Sequence, residues 1–137
     1  MVTGGYRVEF TLPGSPVPAS RPRIRTFRSK AGKTISSAYY AGAYKTYLDE
    51  APKAIPESPI LFEKSCPLRV TVEFHCKTPL KPTNPYPKAD IDNYVKAILD
   101  VIGKNGTYWN DDVQVAELIA TKQYSDKPRT EVVIEAI

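Results

Sequence analysis

The sequence has few of the residues that build histidine- or thiolate-based sites. Of its 137 residues, one is histidine and two are cysteine. The lone histidine, His75, excludes a zinc site made of several histidines and a pair of histidine acid/base groups. Cys66 and Cys76 lie ten residues apart and lack CxxC spacing. We therefore predict buried free thiols rather than a metal knuckle or a disulfide.

Long apolar runs are also missing. No stretch approaches the length of a membrane span, and residues 1–5 have no signal-peptide character, so we expect a cytoplasmic protein without membrane contacts. The hydrophobic and charged fractions, 42% and 25%, are ordinary for a globular protein. The length predicts a single domain over residues 1–137, large enough to bury a core.

The net charge of +4 is small, but the charges are unevenly distributed. Residues 21–33 contain six basic residues and no acid, whereas acids dominate residues 90–117. This pattern is typical of a protein that binds a polyanion with one part and a cation with another, although a solvated basic loop explains the first segment equally well. The residues predicted to contact such a polyanion, for example DNA, are Arg21, Arg23, Arg25, Arg28, Lys30, Lys33 and Lys88.

Periodicity predicts four strands and two main helices. Apolar and polar residues alternate over residues 6–12, 68–76, 113–124 and 130–137, and the last strand is predicted to run antiparallel to the one before it. In the second strand, His75 is expected to point outward. Helical spacing covers residues 38–51, after a serine cap at Ser36 or Ser37, and residues from Asp90 to about Ile102. Residues 28–33 are expected to form a basic loop.

The most informative stretch is Asp90-Ile91-Asp92-Asn93-x-x-Lys96, read together with Asp111-Asp112. Carboxylate oxygens are the ligands that magnesium and manganese prefer, and such an ion can neutralise a phosphate and activate water. We therefore expect Asp90, Asp92 and Asp112 to bind a divalent metal. Lys96 lies one helical turn after Asp92 and could contact the attacking water or the scissile phosphate. The residues expected to contact the metal ligands, but not the metal itself, are Asn93, Asp111 and Glu117.

Each of these features also has an ordinary explanation. Asp90 and Asp92 could be a helix cap and a first-turn acid, Lys96 could form an ion pair with Asp92, and Asp111-Asp112 could be a turn before a strand. If only these ordinary explanations hold, the protein is a non-catalytic basic DNA-binding module. If the carboxylates bind a metal ion, a nuclease acting on flaps or forks also stays open.

The same residues resemble the RusA family of Holliday junction resolvases of bacteria and their prophages. The matching patterns are Asp90-Ile91-Asp92-Asn93-x-x-Lys96 and Tyr108-Trp109-x-Asp111-Asp112-x-Gln114-Val115. Two earlier stretches, Gly14–Pro18 and Arg21-Pro22-Arg23, are similar to phage-type members. The proline-rich stretch 78–88 and the connection 58–65 differ from shorter members of the family.

The resemblance implies both an architecture and an activity. It implies a compact α/β (α+β) domain with a mixed sheet of about four to five strands and two main helices. It implies that Asp90, Asp92 and Asp112 are essential metal-binding carboxylates and that Lys96 is an essential lysine. The expected cofactor is Mg²⁺, with Mn²⁺ as a substitute, and no small-molecule cofactor is expected. The expected protein is a homodimer that cuts four-way DNA junctions by paired symmetric nicks in recombination and repair.

Overall fold

The computed structural model describes residues 6–40 and 42–137, and it contains six strands and two α-helices. The strands are β1 (Arg7–Pro13), β2 (Arg23–Arg28), β3 (Thr34–Tyr39), β4 (Leu68–Lys77), β5 (Val115–Ser125) and β6 (Arg129–Ala136). The helices are α1 (Gly42–Ala54) and α2 (Ile91–Asn105), and a 3-10 turn at Asp112–Gln114 precedes β5.

Four of the strands form a mixed sheet in the order β1-β6-β4-β5. The β4–β5 pair is parallel, and the β1–β6 and β4–β6 pairs are antiparallel. Alternate residues of β4, such as Val70 and Val72, are buried in one core with residues of α1 and α2. The side chain of Phe74 stacks on Tyr94 of α2, with ring centroids 5.3 Å apart. The predicted α+β class, mixed sheet and pair of helices are confirmed.

The last two strands are not neighbours in the sheet. β5 and β6 run in opposite directions, as predicted, but β4 lies between them. The turn Ser125-Asp126-Lys127-Pro128 therefore crosses the end of β4 instead of closing a hairpin. Alternation identifies a strand from its own residues, whereas strand order depends on which distant partner the strand meets.

Residues 23–28 and 34–39 form a separate two-stranded sheet, β2–β3, in which every residue is exposed. The helix predicted to begin after Ser36 or Ser37 begins instead at Gly42, and the predicted basic loop forms the tip of this hairpin. Cross-strand pairing explains the difference, because Thr34–Tyr39 finds a partner strand in Arg23–Arg28. Helix α1 also continues past Pro52 to Ala54.

Helix α2 ends where its C-terminal glycine adopts a left-handed conformation. Gly106 has φ 78°, and its N–H bonds to the carbonyl of Ile102 at 3.4 Å. Helical spacing predicts a buried stripe made of Ile91, Val95, Ile98, Leu99 and Ile102. In the structure Ile91 is exposed and Leu99 is half-buried, whereas Tyr94 and Val101 are also buried. The reason is that α2 packs against both the sheet and α1, so its buried face is wider than a single stripe.

The expectations for the cysteines and the histidine have clear outcomes. Cys66 and Cys76 are buried free thiols, as predicted. His75 lies on the outer face of β4, as predicted, but it is only 7% exposed, because the side chains of Glu73 and Glu131 lie against it. Trp109 is buried against the last turns of α2, with its indole nitrogen 3.8 Å from where a side chain on Gly103 would begin. No helix in the described ranges is long and apolar enough to cross a membrane.

Candidate active site

Asp112 lies at the start of the 3-10 turn before β5, and two neighbours fix that turn. The Asp111 carboxylate accepts a hydrogen bond from the Val113 N–H at 3.0 Å. The side chain of Gln114 accepts from the N–H groups of Asn110 and Asp111 at 3.1 and 3.3 Å. Together these bonds form a capping box. Asp111 is therefore the structural cap that holds Asp112 at the surface.

Gln114 also ties this turn to the segment before β4. Its amide nitrogen donates to the carbonyls of Glu63 and Cys66, at 2.6 and 3.3 Å, and the residue is only 5% exposed. The neighbouring Trp109 forms an isolated parallel bridge with Phe62. A buried amide with all these partners leaves the turn little freedom, so Asp112 is presented from a rigid support.

The surroundings of Asp112 disfavour its negative charge. Partial burial raises the pKa of Asp112, and the carboxylates of Asp111 and Asp100 raise it further. The ammonium group of Lys96 opposes the shift. The local excess of carboxylate charge and its hard oxygen donors fit a divalent cation such as magnesium.

Asp100 is the site residue that sequence reasoning missed. Lys96 forms its ion pair with Asp100, with Nζ 3.7 Å from Oδ2. The ordinary explanation had paired Lys96 with Asp92, one turn earlier on the helix. The hydroxyl of the buried Tyr44 donates to the Asp100 carboxylate at 2.9 Å. One signal was available in the sequence, because Asp92, Lys96 and Asp100 follow each other at four-residue spacing on one helix face.

Asp90 and Asp92 lie at the opposite end of that helix face, at the start of α2. Asp90 is the residue before the first turn, but its side chain makes no capping hydrogen bond, and both residues are exposed. The loop before Asp90 is anchored by Lys122 of β5, whose ammonium donates to the carbonyls of Pro87 and Ala89 at 2.9 and 2.7 Å. The carboxylate of Asp90 is therefore left available while its backbone is fixed.

The structure does not bring the oxygens of Asp90, Asp92 and Asp112 into one tight group. Within residues 6–40 and 42–137, the three ligand atoms that do lie within 4.8 Å of one another belong to a different trio, on the sheet. The residues gathered around Asp112 are Asp111, Asp100 and Lys96. The acidic face of α2 connects this cluster to Asp92 and Asp90.

The basic segment begins beside the acidic helix. The N–H of Ala19 donates to the carbonyl of Asn93 in the first turn of α2, at 2.9 Å. Arg21 and Arg23 then line a cavity with Tyr44, the residue that bonds Asp100. Farther out, the guanidinium of Arg25 lies 5.1 Å from the centre of the Tyr39 ring. The hairpin therefore extends from the same part of the molecule that carries the acidic cluster.

The remaining predicted residues occupy different positions. Glu117 pairs with Arg69 of β4 at 2.8 Å, so its carboxylate is engaged on the sheet and not with Asp112. Asn93 contributes its backbone carbonyl to the contact with Ala19. Lys88 is exposed on the proline-rich stretch before Asp90. Arg28, Lys30 and Lys33 are exposed near the tip of the hairpin, and no described ion pair involves any of the predicted DNA-binding residues.

Two comparisons with known proteins cover nearly all of this chain. A Bacillus subtilis (strain 168) protein, YqaN, described as uncharacterized, is 31% identical over 143 residues, which include 95% of this chain and 96% of that protein. The family model described as endodeoxyribonuclease RusA matches residues 13–135. This match includes both helices, most of the sheet and the whole acidic cluster, and the chain therefore belongs to the RusA family of endodeoxyribonucleases.

Proposed function

We propose that this protein is a magnesium-dependent endodeoxyribonuclease that resolves four-way DNA junctions, as a homodimer, by paired symmetric nicks. The observation that carries the proposal is the position of the basic hairpin, whose base lies beside α2. One side of the molecule thus offers arginines for a polyanion and carboxylates for a cation.

The acidic residues of the site have distinct proposed roles. Asp90, Asp92 and Asp112 are the proposed metal ligands, although without the ion their oxygens do not all lie within 4.8 Å of one another. The ion would neutralise the scissile phosphate and lower the pKa of a water molecule. Lys96 faces the phosphate and places a positive charge beside the attacked group. Asp100 holds Lys96 in position, and Tyr44 in turn holds Asp100. Asp111 keeps the turn that carries Asp112 in its conformation.

The β2–β3 hairpin is the proposed DNA-binding arm. A two-stranded sheet without a packed face is only marginally stable by itself, and Ile24 and Phe27 of this hairpin are 73% and 47% exposed. Contact with a DNA backbone would give its arginines bidentate phosphate partners. Such contacts fix the position of the protein on DNA without reading sequence, which suits a structure-selective enzyme.

A four-way junction also explains the proposed homodimer. Two strands of equal polarity must be cut for resolution, and a two-fold symmetric pair of subunits presents two equivalent sites. The same argument does not apply to a flap or a fork, which requires one cut. Relative cleavage of these substrates therefore distinguishes the proposal from the alternative of a flap or fork nuclease.

The proposal is tested by cleavage of a fixed synthetic four-way junction, a flap and a plain duplex, with and without magnesium. We expect magnesium-dependent cuts at symmetric positions of the junction and slower cleavage of the other two substrates. The variant Asp112→Asn should lose at least about 100-fold in cleavage rate and still bind the junction. The matched control is Glu117→Gln, which removes a nearby carboxylate that pairs with Arg69, and it should retain activity.

Three outcomes would contradict the proposal in different ways. Equal cleavage rates of Asp112→Asn and the parent protein would show that Asp112 is not part of the active site. Faster cleavage of flaps than of junctions would favour the flap or fork nuclease. Junction binding without cleavage in any divalent metal, and without an effect of Asp90→Asn, would favour a non-catalytic DNA-binding module.

A further inference from the structure

The single histidine is buried between two glutamates on the outer face of the sheet. The side chain of His75 is 8% exposed, and its Nε2 lies 3.1 Å from Glu131 Oε2 and 3.4 Å from Glu73 Oε1. Neither contact has hydrogen-bond geometry, so this buried nitrogen has no hydrogen-bond partner among the described residues. Buried polar atoms normally have a partner, so an unpaired imidazole nitrogen beside two carboxylates is a candidate metal ligand.

Strand pairing brings these three side chains together. Glu73 on β4 lies directly opposite Glu131 on β6, and His75 follows two residues later on the same face of β4. Two carboxylates directly opposite each other repel unless a positive charge lies between them. Arg129, opposite His75, supplies part of that charge, since its Nη2 is 3.2 Å from Glu131 Oε2. Glu73 has no such partner among the described ion pairs except His75.

We propose that Glu73, His75 and Glu131 form a binding site for a divalent transition metal, with zinc as the favoured ion. The three ligand atoms lie within 4.8 Å of one another. Tetrahedral zinc with bonds of about 2.0–2.1 Å separates its ligands by about 3.3–3.4 Å, close to the two distances at Nε2. An imidazole nitrogen favours zinc over magnesium, so the site differs in chemistry from the all-carboxylate cluster around Asp112.

The location of the site determines what the metal does. Zinc would join β4 to β6, the two central strands of the four-stranded sheet, on the face opposite the buried core. Three protein ligands leave one position for water or another ligand. Because the site requires the folded strands, zinc binding raises the melting temperature independently of DNA cleavage.

The lone histidine makes a direct test feasible. Protein labelled with ¹⁵N-histidine gives ring-nitrogen signals from His75 alone. We expect one equivalent of zinc, added in the presence of excess magnesium, to shift the Nε2 signal and raise the melting temperature. Glu131→Gln should weaken zinc binding at least about tenfold. The matched control is Glu135→Gln, which removes a carboxylate from the same strand and the same face near Arg69, and it should bind zinc like the parent protein.

Three results would overturn the proposed site. Ring-nitrogen signals that respond to pH but not to zinc would show that a proton, and not a metal ion, lies between the two glutamates. Zinc that binds without shifting Nε2 would be located elsewhere, such as at the carboxylates of α2. Equal zinc affinity in Glu131→Gln and the parent protein would exclude Glu131 as a ligand.

Discussion

The hydroxyl of Tyr44 in α1 donates a hydrogen bond of 2.9 Å to the carboxylate of Asp100 in α2. This bond links the two helices at the residue that pairs with Lys96. Tyr44 is 2% exposed, and burial, with the charge of Asp100, raises the pKa of its hydroxyl, so the group stays protonated and remains a donor at neutral pH. A core side chain of one helix thus fixes a charged side chain of the proposed active site.

Removal of this hydroxyl should reduce junction cleavage more than junction binding. In Tyr44→Phe the ring still fills the core, but Asp100 loses a donor and Lys96 loses a fixed partner. We expect a fall of about tenfold in cleavage rate and a loss of about 1 kcal/mol in unfolding free energy. The control is Tyr40→Phe, whose ring packs edge-on against Tyr44 at 5.0 Å. Equal rates in parent and Tyr44→Phe would contradict a positioning role.

Neutralisation of Asp112 should stabilise the metal-free protein. Its raised pKa means that the folded state disfavours the carboxylate charge, mainly through partial burial and the neighbouring acids. Asp112→Asn should therefore raise the unfolding free energy by about 0.5 kcal/mol in chelator at low salt, and by less at high salt. Thermal unfolding measures this gain, and Asp126→Asn in the exposed β5–β6 turn should show none. A loss of stability in Asp112→Asn would contradict the electrostatic argument.

Arginines of the hairpin should control the salt dependence of DNA binding. Each arginine that contacts a phosphate contributes about 0.9 to the slope of log affinity against log salt. Alanine substitutions at Arg23, Arg25 and Arg28 should therefore flatten this slope and weaken binding to every DNA structure. Arg7→Ala is the control, because Arg7 is equally basic but lies on β1 and pairs with Glu9 at 3.2 Å. An unchanged slope in the triple variant would exclude the hairpin from the DNA interface.

Two glycines near the end of α2 should respond to alanine in opposite directions. Gly106 has φ 78°, and no atom lies within 4 Å of an added Cβ, so Gly106→Ala should cost about 1 kcal/mol from backbone strain alone. Gly103 is helical, and its added Cβ would make an ordinary contact with Trp109 at 3.8 Å. Gly103→Ala should stabilise by up to about 1 kcal/mol. Chemical denaturation measures both, and changes of the same sign would contradict the assignment of Gly106 as the helix cap.

Buried tyrosines should make the fold sensitive to alkali. Burial raises the pKa of Tyr44 and Tyr94, and it raises the pKa of Tyr108 to about 12. Unfolded tyrosines ionise near pH 10. The unfolding free energy therefore keeps its full value below about pH 10 and falls as the pH rises toward the pKa values of the folded protein. Each such tyrosine lowers the unfolding free energy by up to about 1.4 kcal/mol per pH unit in that window. Tyr94→Phe should therefore flatten the alkaline decline in unfolding free energy, and an unchanged decline would contradict this account.

Local sequence determined most of the elements and every member of the acidic cluster except Asp100. Alternation identified β1 and β4, and the acidic start and glycine end identified α2, because these signals depend on neighbouring residues. The spacing of Asp92 and Lys96 already placed both on one helix face. The motif Asp111-Asp112-x-Gln114 was recognised as a pattern, but its physical basis, the capping box, became visible only in the folded turn.

Tertiary structure decided which distant residues meet. The sequence could not place β4 between β5 and β6, nor pair residues 23–28 with residues 34–39, because strand partners are chosen by packing across the whole fold. The same long-range choices join Tyr44 to Asp100 across 56 positions and bury His75 between Glu73 and Glu131. The residue types therefore specified the chemistry available to this protein, and the packing of helices and strands specified which of those groups act together.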